Sequence, residues 1–416
     1  MRSYTKYYII LGLILVCTLL EILTMCYRWP KTTREVQSII FLIAGISISI
    51  LPLITVKIPT QSSGNYSNKK LFYVLITCIV ILCGVIFAFC PDLYKKIPIH
   101  PQTADMIPIL SAMAERYTSG QSVYAFIQVS DPMYPIYLPM LWLPFIIPNT
   151  FHFDPRWLIE LFLCAGIVMI AFVVPKKELK VRQFIVLIPL CTLVWGIVQK
   201  EITLITMTQE GIIIAYYMFF ALVMMRFSRN PYLVSIAIAL CLLSRFTLLF
   251  FFGFYLLFVW KFENKKLAYK IFGLTALIVI ILMFVFQAIF HLDIFLGLSD
   301  NYIGAVVSKK EKYVDMIKYS MGIAKFFKYE SLPILHKLHL IFQFIPLIGG
   351  FLYFYFNKPL IDKRVFLLSI AKLSFVLFFN LLILPYTYLF YISILYSIII
   401  LYVYARDSFV ENTKLL

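Results

Sequence analysis

Apolar runs joined by short polar connections fill the chain, near residues 8–27, 37–56, 71–90, 133–149, 157–174, 183–198, 211–225, 232–244, 246–260, 271–290, 338–356, 365–383 and 386–404. Runs of roughly 17 to 25 apolar residues match a hydrocarbon core ~30 Å thick at 1.5 Å rise per residue, where only a helix or a closed barrel satisfies the backbone. Period-two alternation is absent, so the pattern predicts an all-α polytopic membrane protein with about 12 spans. Two long polar interruptions, 91–132 and 291–336, break the series. With no internal repeat, low-complexity tract or soluble stretch in view, residues 1–416 read as one membrane domain.

Basic residues in the connections give a sidedness. From "PKKELKVR" (175–182) onward, "RFSRN" at 226, "KFENKK" at 261, "NKPLIDKR" at 357 and the tail from Arg406 fall on one side, which the positive-inside rule makes cytoplasmic. Residues 199–210, Arg245, 291–336 and Pro385 then face outward, and so does 91–132. Only an odd number of crossings can join the outer loop 91–132 to "PKKELKVR". Of the two apolar segments between them, 133–149 is broken by Pro135, Pro139, Pro144 and Pro148, and is expected to be bent or re-entrant.

Composition sharpens this picture. At 62% hydrophobic and only 14% charged, the chain is too apolar for a soluble domain. The net charge of +17 sits in inter-helix connections and not on one aromatic-laced face, which points to topology and anionic headgroups, with no nucleic acid. The eight cysteines lie in or beside apolar runs without CxxC spacing and read as small buried hydrophobes. The amino-terminal apolar run has no small-residue cleavage site and reads as a retained first span.

The interruption at 100–148 carries the candidate chemistry. In "DMIPILSAMAERYTSG", Met106, Leu110, Met113 and Tyr117 share one helical face, Gly120 stands past the carboxyl end, and Asp105 stands at the amino end. The segment is too short and polar to span, and is expected to lie on the membrane surface with its apolar face down. Asp105 is either a helix cap or a reacting carboxylate.

The order Asp105, juxtamembrane helix, "SGQSVYAF" and the Pro-rich "DPMYPIYLPMLWLPFIIP" resembles the GT-C superfamily of integral membrane glycosyltransferases, most of all bacterial members using a sugar on a polyprenyl phosphate. "ITMTQEGIIIAYYMFF" resembles their second outer loop, "IAIALCLLSRFTLLFFFGFYLLFVW" their paired helices joined at a basic residue, and "NLLILPYTYLFYISILY" their final helices. The similarity covers roughly residues 71–404. Two apparent spans precede the first loop where such enzymes usually have one, and the absence of an Asp-x-Asp or Asp-x-Glu pair argues against a bound divalent metal. No cofactor is expected.

The resemblance implies transfer of a sugar from a polyprenyl-phosphate donor to a glycan, lipid or protein acceptor, at the extracytoplasmic face of a bacterial plasma (inner) membrane. Such a donor has an activated leaving group, so the acceptor hydroxyl needs one carboxylate to take its proton. Asp105 is the candidate base, with inversion by single displacement, and Glu210 the candidate second catalytic acid. The departing phosphate needs cations, for which Arg245 is the first candidate because a charge this close to hydrocarbon demands a partner. Arg116, His100 and the lysines 309, 310 and 312 are auxiliary candidates, and Tyr124 and Gln209 in the matching motifs complete the expected substrate-binding set. Lys372 is an intramembrane charge left outside that site.

Two rival classes remain at this level. A polysaccharide polymerase or O-antigen ligase would place its chemistry on Arg or His in loop 291–336. A lipid-linked sugar flippase should distribute polar residues along several spans or show a repeat. No Walker-type loop, HExxH or Gly-x-Ser-x-Gly occurs.

Overall fold

The computed structural model describes residues 2–26, 34–54, 69–101, 104–129, 134–176, 179–200, 207–296, 320–357, 362–383 and 386–406, with isolated positions between them. Among these residues the protein is helical and contains no strand. In chain order the helices are α1 (Arg2–Cys26), α2 (Arg34–Ile50), α3 (Lys69–Lys96), α4 (Met106–Thr118), α5 (Pro139–Trp142), α6 (Ile146–Phe151), α7 (Pro155–Val173), α8 (Leu187–Lys200) and α9 (Glu210–Arg226). They continue with α10 (Pro231–Leu242), α11 (Leu249–Phe262), α12 (Lys265–Val285), α13 (Leu292–Leu296), α14 (Leu332–Asn357), α15 (Lys363–Leu381) and α16 (Tyr391–Arg406).

Among the described residues, eight helical stretches are long and apolar enough to cross a membrane: α1, α3, α7, α8 with the 3-10 turn before it, α12, α14, α15 and α16. The figure of about 12 spans is therefore not reached on length and composition. Part of the difference lies in α10 and α11, which bend by 115° about Leu243–Arg245. A helix of 12 residues such as α10 reaches only about 18 Å, and the 17 residues of α9 about 25 Å, both short of ~30 Å of hydrocarbon. Segment 133–149 is not a span. Its prolines divide it into α5, a 3-10 turn over Leu143–Phe145, and α6.

One end of the bundle is set by cations that satisfy helix carboxyl termini. Arg226 donates to Phe172 O (2.8 Å) in the last turn of α7, Arg364 to Met225 O (2.9 Å) on α9, Lys363 to Phe262 O (2.5 Å) on α11, and Arg182 to Ala405 O (2.5 Å) and Arg406 O (2.9 Å) on α16. The last carbonyls of a helix have no intrahelical partner and carry the negative end of its dipole, which explains the pairing. At the opposite end lie the starts of α7 and α9, the bend between α10 and α11, and the start of α16.

Close contact fixes that opposite end. A Cβ on Gly211 would strike the Ile159 carbonyl, and one on Gly166 would sit 3.1 Å from Ile214, so two glycines let α7 and α9 pack nearly backbone to backbone. The start of α9 is thereby held against α7.

Candidate functional site

Asp105 occupies the N-cap position of α4 with φ −89° and ψ −16°, and its side chain makes no capping hydrogen bond. The backbone alone enters the helix, through Ile109 N–H to Asp105 O at 2.9 Å. The carboxylate is partly buried and acts on the phenol of Tyr137, whose ionisation burial and the Asp105 charge push upward while Arg245 opposes them. Glu210 and Arg245 both exert their charge on this same phenol. Residues 105, 210 and 245, far apart in sequence, therefore all lie within electrostatic reach of Tyr137.

The apolar face of α4, expected to rest in lipid, is turned to protein instead. Leu110 and Met113 are fully buried, and Tyr117 packs on Trp142 with ring centroids 5.3 Å apart, so the apolar face is covered by protein. Its carboxyl end closes through Gly120, whose φ of +69° is the left-handed conformation glycine adopts without strain.

Glu210 is the first residue of α9 and fully buried. Its two oxygens face the two terminal nitrogens of Arg245, Nη1 at 2.8 Å and Nη2 in direct contact, a bidentate pair. Arg245 comes from the bend between α10 and α11 and keeps 19% of its side chain exposed, against 0% for Glu210. The Arg245 side chain is thus the less buried member of the pair. The bend is tied down by Tyr217 OH donating to Arg245 O (2.7 Å) and Met140 N–H to Leu243 O (3.0 Å), while Tyr216 OH holds Met140 O (3.2 Å).

The other expected residues divide. Gln209 precedes the pair, 3% exposed, and its Oε1 is buried without a hydrogen-bond partner. Arg116 instead closes a turn: Nη1 donates to Ala125 O (2.5 Å) and Nη2 to Phe126 O (2.8 Å), which engages the donors expected to help bind phosphate. Tyr124 is fully buried, donates to Tyr137 O (3.1 Å) and accepts from Trp142 Nε1 (3.3 Å); it supports Tyr137 from the core and faces no open space. His100 is exposed, five residues before Asp105, and its carbonyl accepts from Ala104 N–H at 3.1 Å. Lysines 309, 310 and 312 lie outside the described residues.

Two residues join the site that sequence reasoning did not single out. Tyr137 follows the proline run, and Tyr388 lies in the 3-10 turn before α16, where the charges of Glu210 and Arg245 reach it and its hydroxyl points at the Met106 sulfur, 3.9 Å away. Both stand in proline-containing breaks before a helix, where a phenol can keep its polar tip toward a site. No group of three metal-ligating side chains occurs among the described residues. No protein-family model, no curated protein and no solved structure matches the chain. The GT-C resemblance therefore rests on the quoted motifs alone.

Proposed function

We propose that the protein is a GT-C-like membrane glycosyltransferase that moves a sugar from a polyprenyl-phosphate donor to a hydroxyl of a glycan, lipid or protein acceptor. The observation that supports this best is that the Asp105 carboxylate and the Glu210–Arg245 pair, far apart in sequence, both act on the Tyr137 phenol. A base and an anion-binding cation then share one site at the end of two helices too short to cross the bilayer. A site recessed in this way suits a phosphate carried at the end of a lipid better than a freely dissolved nucleotide sugar.

In this reading the acceptor oxygen attacks the anomeric carbon as the bond from that carbon to the phosphate oxygen breaks. The acceptor proton passes to the Asp105 carboxylate, and the lipid phosphate departs with its charge met by the free N–H groups of Arg245. One displacement inverts the anomeric configuration. Glu210, fully buried with both oxygens on Arg245, takes the part of a positioning residue and not of a second base. No step in this reading is routed through a metal. The reading places the site on the extracytoplasmic face of a bacterial plasma membrane, following the basic-loop asymmetry.

Asp105→Asn tests it. Asparagine keeps a side-chain oxygen and nearly the same volume but cannot take a proton, so thermal stability should stay near wild type while sugar transfer per folded molecule falls by about 10²–10⁴, the usual worth of a general base. Full specific activity in Asp105→Asn would remove the residue from the chemistry.

A further inference from the structure

We propose that Gln209 is the residue that recognises the transferred sugar, its side-chain oxygen accepting a hydrogen bond from one ring hydroxyl. This rests on the transferase reading of the neighbouring Asp105 and Arg245, and adds to it a specificity-determining contact.

Three observations carry it. First, Gln209 stands at the N-cap of α9 and its side chain makes no capping hydrogen bond, while the preceding Thr208 hydroxyl accepts from Glu210 N–H (3.3 Å). Second, the residue is 97% buried by its 3% exposure, and its Oε1 has no partner, whereas the great majority of buried side-chain acceptors in native proteins do. Third, its position is rigid, since Gly211 presses the start of α9 onto the Ile159 carbonyl and Glu210 is locked to Arg245. A fixed, desolvated acceptor on the residue before Glu210, which holds the proposed phosphate-binding guanidinium of Arg245, calls for a ligand that brings both an anion and a donor. A phosphate diester offers acceptors only and cannot satisfy Oε1. A hydroxyl one sugar ring away from that phosphate can, and a lipid phosphate sugar presents both groups.

A site built to hydrogen-bond a hydroxyl rejects the analogue lacking it, because the protein acceptor is then left buried and unpaired. The experiment compares an undecaprenyl-phosphate hexose with its singly deoxygenated analogues, using purified protein in lipid nanodiscs and measuring both binding and transfer. Wild type should disfavour one deoxy analogue by roughly 10²–10⁴-fold in kcat/KM. Gln209→Leu, which removes the acceptor, should erase that preference by losing the complete sugar and not the analogue, and Gln209→Glu, which keeps an acceptor, should retain it. An equal loss on complete and deoxy sugars in Gln209→Leu would make Gln209 structural and overturn the proposal. Binding separates this failure from that of the transferase reading. If no sugar is transferred but the lipid-linked hexose binds and Gln209→Leu weakens it by about 10-fold or more, the recognition site stands and the transferase reading falls. If Gln209→Leu leaves the binding of every analogue unchanged, or if none binds, the recognition site falls whatever the transfer assay gives.

Discussion

Glu210 and Arg245 show how a buried pair constrains what a substitution can reveal. Arg245→Ala removes a candidate phosphate ligand, but it also leaves the fully buried Glu210 without its counter-charge, and breaking a buried pair from one side costs about 3–5 kcal/mol. The single variant should therefore unfold at markedly lower temperature than wild type. Arg245→Ala combined with Glu210→Gln should recover much of that stability while donor binding stays lost. Thermal unfolding midpoints and lipid-phosphate binding, measured on all three variants, separate the two effects. Restored donor binding in the double variant would take Arg245 out of phosphate recognition. Tyr137 and Tyr388 belong to the same scale. Sequence alone cannot distinguish a site phenol from the many packing tyrosines, because the difference is made by which charges the fold brings within reach.

The helices that carry these residues depend on a few contacts at their ends. Gly211→Ala forces a Cβ against the Ile159 backbone carbonyl, which cannot yield as a side chain can, so α7 and α9 must separate. Overpacking of this kind costs typically 1–3 kcal/mol, and here it also displaces Glu210. Gly166→Ala, meeting the Ile214 side chain at 3.1 Å, should cost less. Ranking the two by unfolding temperature checks the pair; equal effects would contradict the close approach. At the cation end, Asp362 caps α15 by accepting from Arg364 N–H at 2.9 Å and pairs with the Arg364 and Arg406 guanidinia at 3.0 and 3.7 Å. Burial works to raise its carboxyl, but the Arg364 hydrogen bonds and charge outweigh it and hold the carboxyl below the usual range. Its stabilising contribution is then complete above about pH 4, its ordinary value, and is lost as pH falls below that through the lowered one. Unfolding temperatures of wild type and Asp362→Asn should accordingly converge as pH drops below about 4, and a constant gap would contradict the pairing.

Much of this scale is legible in the sequence: the apolar runs and their punctuation locate most helices, and the spaced prolines show that 133–149 does not span. The bend at Leu243–Arg245 is less legible, since 232–244 and 246–260 each read as a span and only the helix lengths expose the hairpin. The covering of α4 by α5 and α6 is not legible at all, because an amphipathic face looks the same whether protein or lipid buries it.

Across the whole molecule, α16 is the element on which the others converge. Tyr7 of α1 stacks on Tyr404 and donates to its carbonyl (3.1 Å), Gln183 donates to Tyr402 O (3.2 Å), and from α16 itself Tyr396 OH reaches Tyr217 O (3.0 Å) on α9. Lys372 of α15, which sequence marked as an intramembrane charge, is fully buried and donates to Glu21 of α1 (2.6 Å) and to Ser393 O (3.0 Å) and Oγ (2.7 Å) of α16, while Ser397 donates to the other Glu21 oxygen (2.5 Å). This pair joins the first helix to the last two and takes no part in the proposed site. Lys372→Met alone should destabilise by about 3–5 kcal/mol, whereas Glu21→Leu with Lys372→Met should come close to wild type, and unchanged sugar transfer in that double variant would confirm the separation of clasp from site. A doubly labelled undecaprenyl-phosphate sugar, with label in both lipid and sugar, followed in proteoliposomes containing the purified protein and candidate acceptors, distinguishes transfer from transport. For a transferase, the sugar label should move to an acceptor, the lipid label should remain as undecaprenyl phosphate, and both changes should disappear with Asp105→Asn. Lipid and sugar labels that stay joined throughout, or that cross the bilayer together, would contradict the transferase reading.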